Sequence, residues 1–372
     1  MSYDVLVIGG GMAGVSIGYE LAADRRVGLL EMEATLAFHT TGRSAAMFLE
    51  SYGGAPIRAL TTASRAFLEN PPDDVESALL TPRAMLHIAA AGRGEQLRQL
   101  HRDVLPLVPD VRLFEGDDVR ALQPLLRPGH VEVGLLEPGA MEVDVHALHQ
   151  GYVRGLRRRG GEIAASAGMV SAQRTAGVWT VTDRAGGTWQ APVVVDAAGA
   201  WADEVAMLFG ARPVGLRPLR RTAFMIDGVA GGDDGPMIAD IDDTFYIKPE
   251  GHQYLCSPSD ETPQPPSDAR PDELEIARAL DAIAEATTLD VRHVRSAWAG
   301  LRSFVADRTP VVGPDTVDGF FWCAAQGGYG IQTAPALART AASLLRGEPV
   351  PDDVARRGLA AADLAPGRPG LR

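Results

Sequence analysis

The chain has 372 residues, 46% of them hydrophobic, and a formal net charge of −13. This length can bury a large core and predicts two or more domains. The acidic excess, without any basic block, argues against nucleic acid and against an anionic membrane surface as partners. No signal-peptide pattern and no apolar run of bilayer length occurs, so we expect a soluble, cytoplasmic protein.

The first 31 residues read as a strand, a glycine-rich turn, a helix and a second strand. The apolar run 3–8 leads into the turn GGGMAG at 9–14, and a helix over 15–23 and a strand over 26–30 follow. Such glycines permit a tight turn, a close approach of the backbone to a diphosphate and close helix packing. Glu31 then stands where a carboxylate can hold both ribose hydroxyls and disfavour NADP. The pattern predicts a dinucleotide-binding unit and redox chemistry.

The later elements alternate in a way that indicates an interrupted dinucleotide-binding domain. Periodicity and turn residues predict helices over 56–69, 95–105, 146–159, 272–285 and 331–345, strands over 131–136, 142–144, 193–201, 245–247 and 320–325, a hairpin over 178–190, and loops over 227–235 and 258–271. In the helix 272–285, the predicted buried face is Leu274, Ala277, Leu280 and Ile283. The tail from about Pro349 is rich in Pro, Gly and Ala, and we expect it to be peripheral.

The cysteines and histidines offer no metal site. Cys256 and Cys323 are far apart and form no Cys-x-x-Cys pair, which predicts two buried free thiols. His146 and His149 could share a helix face, but no third ligand is apparent, so we expect them to be solvated.

Five segments together resemble the FAD-dependent D-amino-acid oxidase superfamily, and within it the bacterial D-arginine dehydrogenases. They are the turn 9–14, TGRSAA at 41–46, AAGAW at 197–201, AGLRSF at 299–304 and QGGYG at 326–330, and the likeness runs from about Tyr3 to about Arg346. The resemblance implies an α/β fold. A Rossmann-like FAD-binding domain would be assembled from the discontinuous segments 1–80, 140–215 and 300–372. A substrate-binding α+β domain with an antiparallel sheet would comprise 81–139 and 216–299.

The resemblance implies FAD as the cofactor. No Cys or His matches the tether of sarcosine oxidases, so we expect the FAD to be non-covalent. The implied cofactor-binding residues are Gly9, Gly11, Met12, Ala13, Gly14, Glu31, Met32, Thr41, Gly42, Arg43, Ser44, Ala45, Ala46, Val170, Ala198, Gly199, Trp201, Gly300, Arg302, Gly327, Gly328, Tyr329, Gly330, Ile331 and Gln332. The helix that begins near Ile331 is expected to aim its positive end at the flavin pyrimidine edge.

Four side chains are implied to act on the substrate. Oxidation of an amino acid transfers a hydride from Cα to flavin N5, so the substrate needs a fixed orientation. The resemblance places Arg221 and Arg302 on the substrate carboxylate, together with the hydroxyls of Tyr52 and Tyr246; a guanidinium can hold a carboxylate bidentately. Without the resemblance, the arginines would read as surface ion pairs and the tyrosines as core aromatics.

The implied side-chain pocket departs from the arginine-specific pattern. Met47 replaces a histidine, Leu49 a threonine, and Met85 the glutamate that pairs with a guanidinium; Gly328 and Tyr329 complete the pocket. A buried guanidinium without a counter-charge costs several kcal/mol. Glu50 could supply the missing charge, but strand alternation points it away towards solvent. We therefore expect neutral, apolar D-amino acids to be preferred over D-arginine.

Two other functions stay open at this stage. The same flavin site could oxidise a secondary amine, such as an N-methyl or cyclic amino acid, because Met47 leaves room for an N-substituent, or it could oxidise some other small carboxylated substrate. A flavin-binding scaffold without turnover is the third candidate, against which the two arginines and two tyrosines argue. The partners are a small-molecule substrate and an electron acceptor, which is oxygen or another acceptor.

Overall fold

The computed structural model describes residues 2–228 and 234–371. The strands of these residues are β1 Val5–Ile8, β2 Val27–Leu30, β3 Met47–Phe48, β4 Leu80–Pro82, β5 Met85–Ala90, β6 Arg112–Glu115, β7 Val131–Glu137, β8 Met141–Val143, β9 Glu162–Ala164, β10 Met169–Thr175, β11 Val178–Asp183, β12 Thr188–Ala191, β13 Val193–Asp196, β14 Arg217–Asp227, β15 Met237–Asp240, β16 Tyr246–Glu250, β17 Gln253–Ser257, β18 Thr262–Pro263, β19 Val294–Phe304, β20 Val311–Pro314 and β21 Phe320–Ala324. The helices are α1 Met12–Leu21, α2 Ala55–Glu69, α3 Gly94–Val104, α4 Asp117–Leu122, α5 Val145–Arg158, α6 Ala202–Leu208, α7 Glu273–Ala286, α8 Gly330–Leu345, α9 Asp352–Ala355 and α10 Ala361–Leu364.

A six-stranded sheet forms the dinucleotide-binding half, in the order β20-β21-β13-β1-β2-β9. Strand β1 is central and pairs in parallel with β13 on one side and β2 on the other. Helices α1, α2, α5 and α8 cover one face, and α6 with the antiparallel meander β10-β11-β12 covers the other. Because both faces are covered, β1 is a continuous apolar run. The predicted Rossmann-like α/β arrangement is confirmed.

A second, largely antiparallel sheet has nine strands. Its order is β18-β14-β17-β16-β15-β5-β7-β6, with β19 paired to β14. The two long strands β14 and β19 run antiparallel over ten paired positions, from Arg217 opposite Phe304 to Ile226 opposite Val294. Most of this sheet comes from the segments 81–139 and 216–299. That composition supports the predicted domain division, which stays a prediction.

Most predicted elements occur within a few residues of their expected limits, but helix α7 buries a different face. Its buried residues are Ile276, Ala279, Ile283 and Ala286, whereas Leu274 is 59% exposed. The predicted face was therefore wrong at Leu274 and Ala277, which are exposed, and right at Ile283, which is buried, and at Leu280, which is partly buried against the core. The helix packs on the nine-stranded sheet through the side that carries the β-branched Ile276.

Two expectations of exposure were also wrong. His149 is buried, and its Nε2 lies 2.9 Å from the Gly10 carbonyl oxygen, so it supports the glycine-rich turn. The C-terminal tail is not peripheral, because Val354, Leu359 and Leu364 pack into the core between the helices and the six-stranded sheet. Of the loop predicted over 227–235, residues 229–233 lie outside the described part of the chain, and Asp227 still belongs to β14.

Helix α10 gives the first testable prediction. Leu364 is fully buried, so Leu364→Ala should lower the free energy of unfolding by about 2–4 kcal/mol through lost burial and a residual cavity. Chemical denaturation followed by circular dichroism measures the change.

The matched control for this substitution is Leu274→Ala, at an exposed position. Its effect should stay within about 0.5 kcal/mol. Equal effects of the two substitutions would contradict a structural role for the tail.

Candidate active site

The first of two neighbouring cavities lies at the carboxyl ends of β1, β2 and β13, where ligands bind in open α/β sheets. We call it the outer cavity; its volume is about 300 Å³. Predicted cofactor residues that line it are Gly9, Gly11, Glu31, Met32, Thr41, Ala198, Gly199 and Trp201. Its position beside the glycine-rich turn is that expected for the adenosine and diphosphate of a dinucleotide.

The glycines of this turn are required by close packing. Gly9 has φ +110°, a backbone conformation that side chains disfavour. A Cβ on Gly14 would overlap the Gly9 carbonyl oxygen, so the helix could not approach the strand. Gly14 does not line the cavity, and its role is to bring the N-terminus of α1 close to it.

Glu31 fixes this turn in addition to facing the outer cavity. Its two carboxylate oxygens accept hydrogen bonds from Gly10 N at 2.7 Å and from Glu33 N at 2.8 Å. Both backbone polar groups of Gly10 are therefore held: its N–H by Glu31 and its carbonyl oxygen by His149. A carboxylate has about four lone-pair sites, so Glu31 keeps acceptors for ribose hydroxyls.

The second cavity, which we call the inner cavity, lies between the two sheets and has a volume of about 150 Å³. Predicted residues that line it are Gly11, Met12, Ala13, Thr41, Arg43, Ser44, Ala45, Gly199, Arg221, Tyr246, Gly300, Arg302, Gly327, Gly328, Gly330 and Ile331. Gly11, Thr40, Thr41, Ala197, Gly199 and Ala200 line both cavities. The shared wall makes one elongated site, with the first turn of α8 at its far end.

The register of the nine-stranded sheet brings Arg221, Arg302 and Tyr246 together. Arg221 pairs with Gly300 and Leu219 pairs with Arg302, so the two arginines are diagonal neighbours on one face. Phe224 of β14 pairs with Cys256 of β17, so the next pair in this register is Ala223 with Ser257. Ser257 also pairs with Tyr246 of β16, on its other side. Alternation therefore places Tyr246 on the same face.

Arg302 is a cation without an acidic partner. It lies deep in the molecule, lines the inner cavity, and takes part in none of the ion pairs among the described residues. Burial is the largest influence on its pKa and lowers it, but Tyr52, Tyr246 and Glu261 raise the pKa on balance. The Tyr52 hydroxyl lies close enough to Arg302 to contribute to this rise in pKa. A guanidinium enclosed in this way is poised to bind an anion.

Arg221 is also incompletely paired. Its Nη2 lies 3.4 Å from Glu261 Oε1, but its buried Nε has no hydrogen-bond partner among the described residues. Burial, and then repulsion by Arg302, lower its pKa. Glu261 is itself held by Arg308, at 2.7 and 2.9 Å. The free donors of both arginines can hold one carboxylate.

Tyr52 and Tyr329 form an aromatic edge beside the arginines. Their ring centroids are 5.0 Å apart in an edge-to-face arrangement, and Tyr52 is 37% exposed. Gly328 lies against Arg302, because a Cβ there would be 3.0 Å from Nη1. Arg221, Arg302 and Tyr246 thus converge on the inner cavity, whereas Tyr52 lies beside Tyr329 and lines neither cavity.

The predicted side-chain pocket is packed with apolar groups. Leu49 and Met85 are buried with Tyr246, Met237, Leu255 and Ala140, and Met47 packs against this cluster. None of Met47, Leu49 and Met85 lines the two cavities described above. Glu50 points away, as expected, but it pairs with Arg65 at 2.7 Å and its side chain is only 18% exposed, so the expected solvent exposure was wrong.

Several predicted cofactor residues either line neither cavity or have side chains that are bound to other parts of the protein. Arg43 reaches the inner cavity, but its guanidinium is bound to Asp268 and to the carbonyls of Ala299 and Ala269. The Gln332 side chain binds Leu49 and Thr61, and Val170 is 46% exposed. Gly42, Ala46 and Tyr329 also line neither cavity.

Sequence reasoning missed three polar residues near the site. Thr40 bonds both the N–H and the carbonyl of Leu301 and lines both cavities. Ser303 lines the inner cavity with a buried hydroxyl that has no partner among the described residues. Glu261 contacts Arg221 from a loop 40 residues away. Of these, Thr40 could have been found, because it adjoins the segment 41–46.

The glycine-rich turn, the linked cavities and the arginine pair define a dinucleotide-binding oxidoreductase. A family model described as FAD dependent oxidoreductase matches residues 4–344. The chain belongs to this family of FAD-dependent oxidoreductases, and its cofactor is FAD. The predicted superfamily and cofactor are confirmed.

Individual relatives are distant. Mitochondrial dimethylglycine dehydrogenase of Homo sapiens is 24% identical over 373 residues, which cover 93% of this chain and 43% of the relative. The chain therefore spans less than half the length of this relative. Glycine oxidase from Geobacillus kaustophilus has a solved structure with a TM-score of 0.84, 20% identity, and coverage of 97% of this chain and 99% of that one. L-proline dehydrogenase from P. horikoshii gives a TM-score of 0.81 at 18% identity, covering 94% and 95%.

Gly14→Ala should abolish FAD retention. The added Cβ would overlap the Gly9 carbonyl oxygen and displace the helix N-terminus from the diphosphate position. The flavin-to-protein absorbance ratio of the purified protein measures the loss.

Gly367→Ala is the control, because its Cβ would meet nothing within 4 Å. The control should retain the full flavin content. A fully loaded Gly14→Ala protein would contradict the assigned role of this turn.

Proposed function

We propose that the chain oxidises a small, neutral α-amino acid, of the D configuration where Cα is chiral, to the imino acid, which water then hydrolyses to a keto acid and ammonia. The observation that carries this proposal is the enclosed Arg302, which lies beside the partly paired Arg221 and has no acidic partner among the described residues. Two such cations on one face of the sheet favour a ligand with a carboxylate.

The protein groups would bind and orient the substrate. Bound FAD supplies the N5 position that accepts a hydride. Arg302 and the Nε of Arg221 hold the carboxylate, and the hydroxyls of Tyr52 and Tyr246 complete its hydrogen bonds. Holding the carboxylate on this face fixes which Cα substituent points into the inner cavity. The N-terminus of α8 presents unpaired N–H groups and a positive dipole end to the cavity.

The packed apolar cluster supports a small substrate. The sequence alone predicts an apolar pocket for a neutral side chain. In the structure, Leu49 and Met85 fill that region, because they are buried in one apolar cluster with Tyr246. A long side chain would have to displace them, at a cost of repacking. We therefore refine the expected substrate to glycine, alanine or another compact amino acid.

A second candidate is a secondary amine, such as an N-methyl or cyclic amino acid. Met47 favours it, because a thioether offers no strong hydrogen bond to a primary amine and tolerates an N-alkyl group. The named activities of the dimethylglycine dehydrogenase and L-proline dehydrogenase relatives point the same way. Both candidates use the same carboxylate site.

An anaerobic flavin-reduction screen separates these candidates. Glycine, D- and L-alanine, D-leucine, D-arginine, sarcosine and D- and L-proline are added to the oxidised protein, and bleaching of the flavin absorbance is followed. We expect a compact neutral substrate to reduce the flavin at least about tenfold faster than D-arginine, because a buried guanidinium without a partner is costly. D-arginine as the best substrate would contradict the proposal, and reduction by sarcosine alone would favour the second candidate.

Arg302→Gln tests the carboxylate site directly. Loss of a charge-assisted, bidentate contact should raise KM for the best substrate of the screen by about 100-fold or more. Steady-state kinetics and flavin content are measured together.

Arg278→Gln, at a residue whose side chain is 64% exposed, is the control. It should leave KM unchanged. An Arg302→Gln protein with full flavin content and an unchanged KM would rule out this arginine as the carboxylate ligand.

A further inference from the structure

Residues Leu49–Tyr52, which we call the strap, connect β3 to the turn before α2 and carry two of the predicted site residues. Each of the first three has a backbone group bound by a side chain from another element. Leu49 N donates to Gln332 Oε1 at 3.1 Å, Glu50 N donates to Glu137 Oε1 at 3.0 Å, and Arg58 Nε donates to the Ser51 carbonyl at 2.9 Å. The strap is therefore anchored to α8, β7 and α2.

Glu137, at the end of β7, is the unusual anchor of the three, because it is a buried acidic side chain. It is 3% exposed and takes part in none of the ion pairs within residues 2–228 and 234–371. Besides the hydrogen bond from the Glu50 N–H, it accepts one from the Ser51 hydroxyl. Burial raises its pKa. Burying a carboxylate without a cation is costly, and the two groups that donate to this carboxylate, the Glu50 N–H and the Ser51 hydroxyl, both belong to the strap.

The next residue of the strap depends on this anchoring for its position. Tyr52 is 37% exposed, and its ring has an edge contact with Tyr329. The following residue, Gly53, has φ +85° and gives the chain freedom to turn. Tyr329 follows Gly328, which lies against Arg302, so the position of the Tyr52 ring beside Tyr329 and near Arg302 depends on the backbone just before Tyr52.

We propose that Glu137 is a positioning residue that holds the strap so that the Tyr52 hydroxyl meets Arg302 at the substrate carboxylate. The inference rests on the proposed function, because it takes the arginine pair to be the carboxylate site. Glu137 is not a catalytic residue: it lines neither cavity, and its oxygens are occupied by the strap. Its action on the substrate passes through Tyr52.

The test measures binding of acetate to the FAD-loaded protein, followed by the change in flavin absorbance. Glu137→Leu removes both acceptors at similar volume and should raise the acetate Kd about tenfold. Glu137→Gln keeps an acceptor for Glu50 N and can donate to Ser51 Oγ, so it should restore Kd to within about threefold of the parent. Ser51→Ala, which leaves the buried carboxylate in place, should raise Kd about threefold to fivefold.

A Tyr52→Phe background distinguishes positioning from general destabilisation. If Glu137 acts through Tyr52, Glu137→Leu and Ser51→Ala should add less than about twofold in this background, because contacting residues are non-additive. Full additivity would overturn the proposal. Glu132→Gln is the control on the same strand, with a carboxylate that bonds Gly92 N and Arg98 far from the strap, and it should leave Kd unchanged.

Arg302→Gln separates failure of this inference from failure of the proposed function. If Arg302→Gln abolishes acetate binding while Glu137→Leu and Ser51→Ala leave it unchanged, the carboxylate site stands and the role of Glu137 is wrong. If Arg302→Gln leaves acetate binding unchanged, the carboxylate site itself is wrong and the proposed role of Glu137 falls with it.

Discussion

Two guanidinium groups that share one face of a sheet, with too few acids to neutralise them, set the chemistry of this site. In an enclosed region the repulsion between like charges is poorly screened, and the charge of Arg302 lowers the pKa of Arg221. Arg221 has partial compensation from Glu261, which Arg308 holds, whereas Arg302 forms no ion pair among the described residues and feels Glu261 only at a distance. Such an arrangement is stabilised when an anion binds. The preference for an anionic ligand at this site therefore follows from the charges of the free protein.

The FAD site is assembled from stretches that are far apart in sequence. The glycine-rich turn after β1, the segment 40–45, the end of β13 and the start of α8 all border the same elongated site. Arg43 and Thr40 tie the second of these stretches to β19 of the large sheet. Direct hydrogen bonds therefore link the segment 40–45 to the strand that also carries Arg302.

Residue type and residue packing give different information about the substrate. Methionine and leucine in place of polar residues indicate only that the surroundings of the side chain are apolar. Whether that apolar region is open or filled depends on how Met237 and Leu255, from separate strands, approach Met85 and Leu49. In this structure they bury one another. The region is apolar, as the residue types indicate, but it leaves less space for a side chain than the residue types suggest.

The sequence by itself determined the features that local patterns encode: the strand, turn and helix around Gly9 and Gly14, the hairpin over 178–190, helix α8, and, through resemblance, the arginine pair. Only the tertiary structure decided which side chains support them. Glu137 meets the strap across 87 residues and Gln332 across 283, so no local period reports either contact. His149 and the tail looked polar or irregular, yet both are buried, because burial depends on which surfaces pack against each other. Periodicity describes one element at a time, whereas this site is formed between elements.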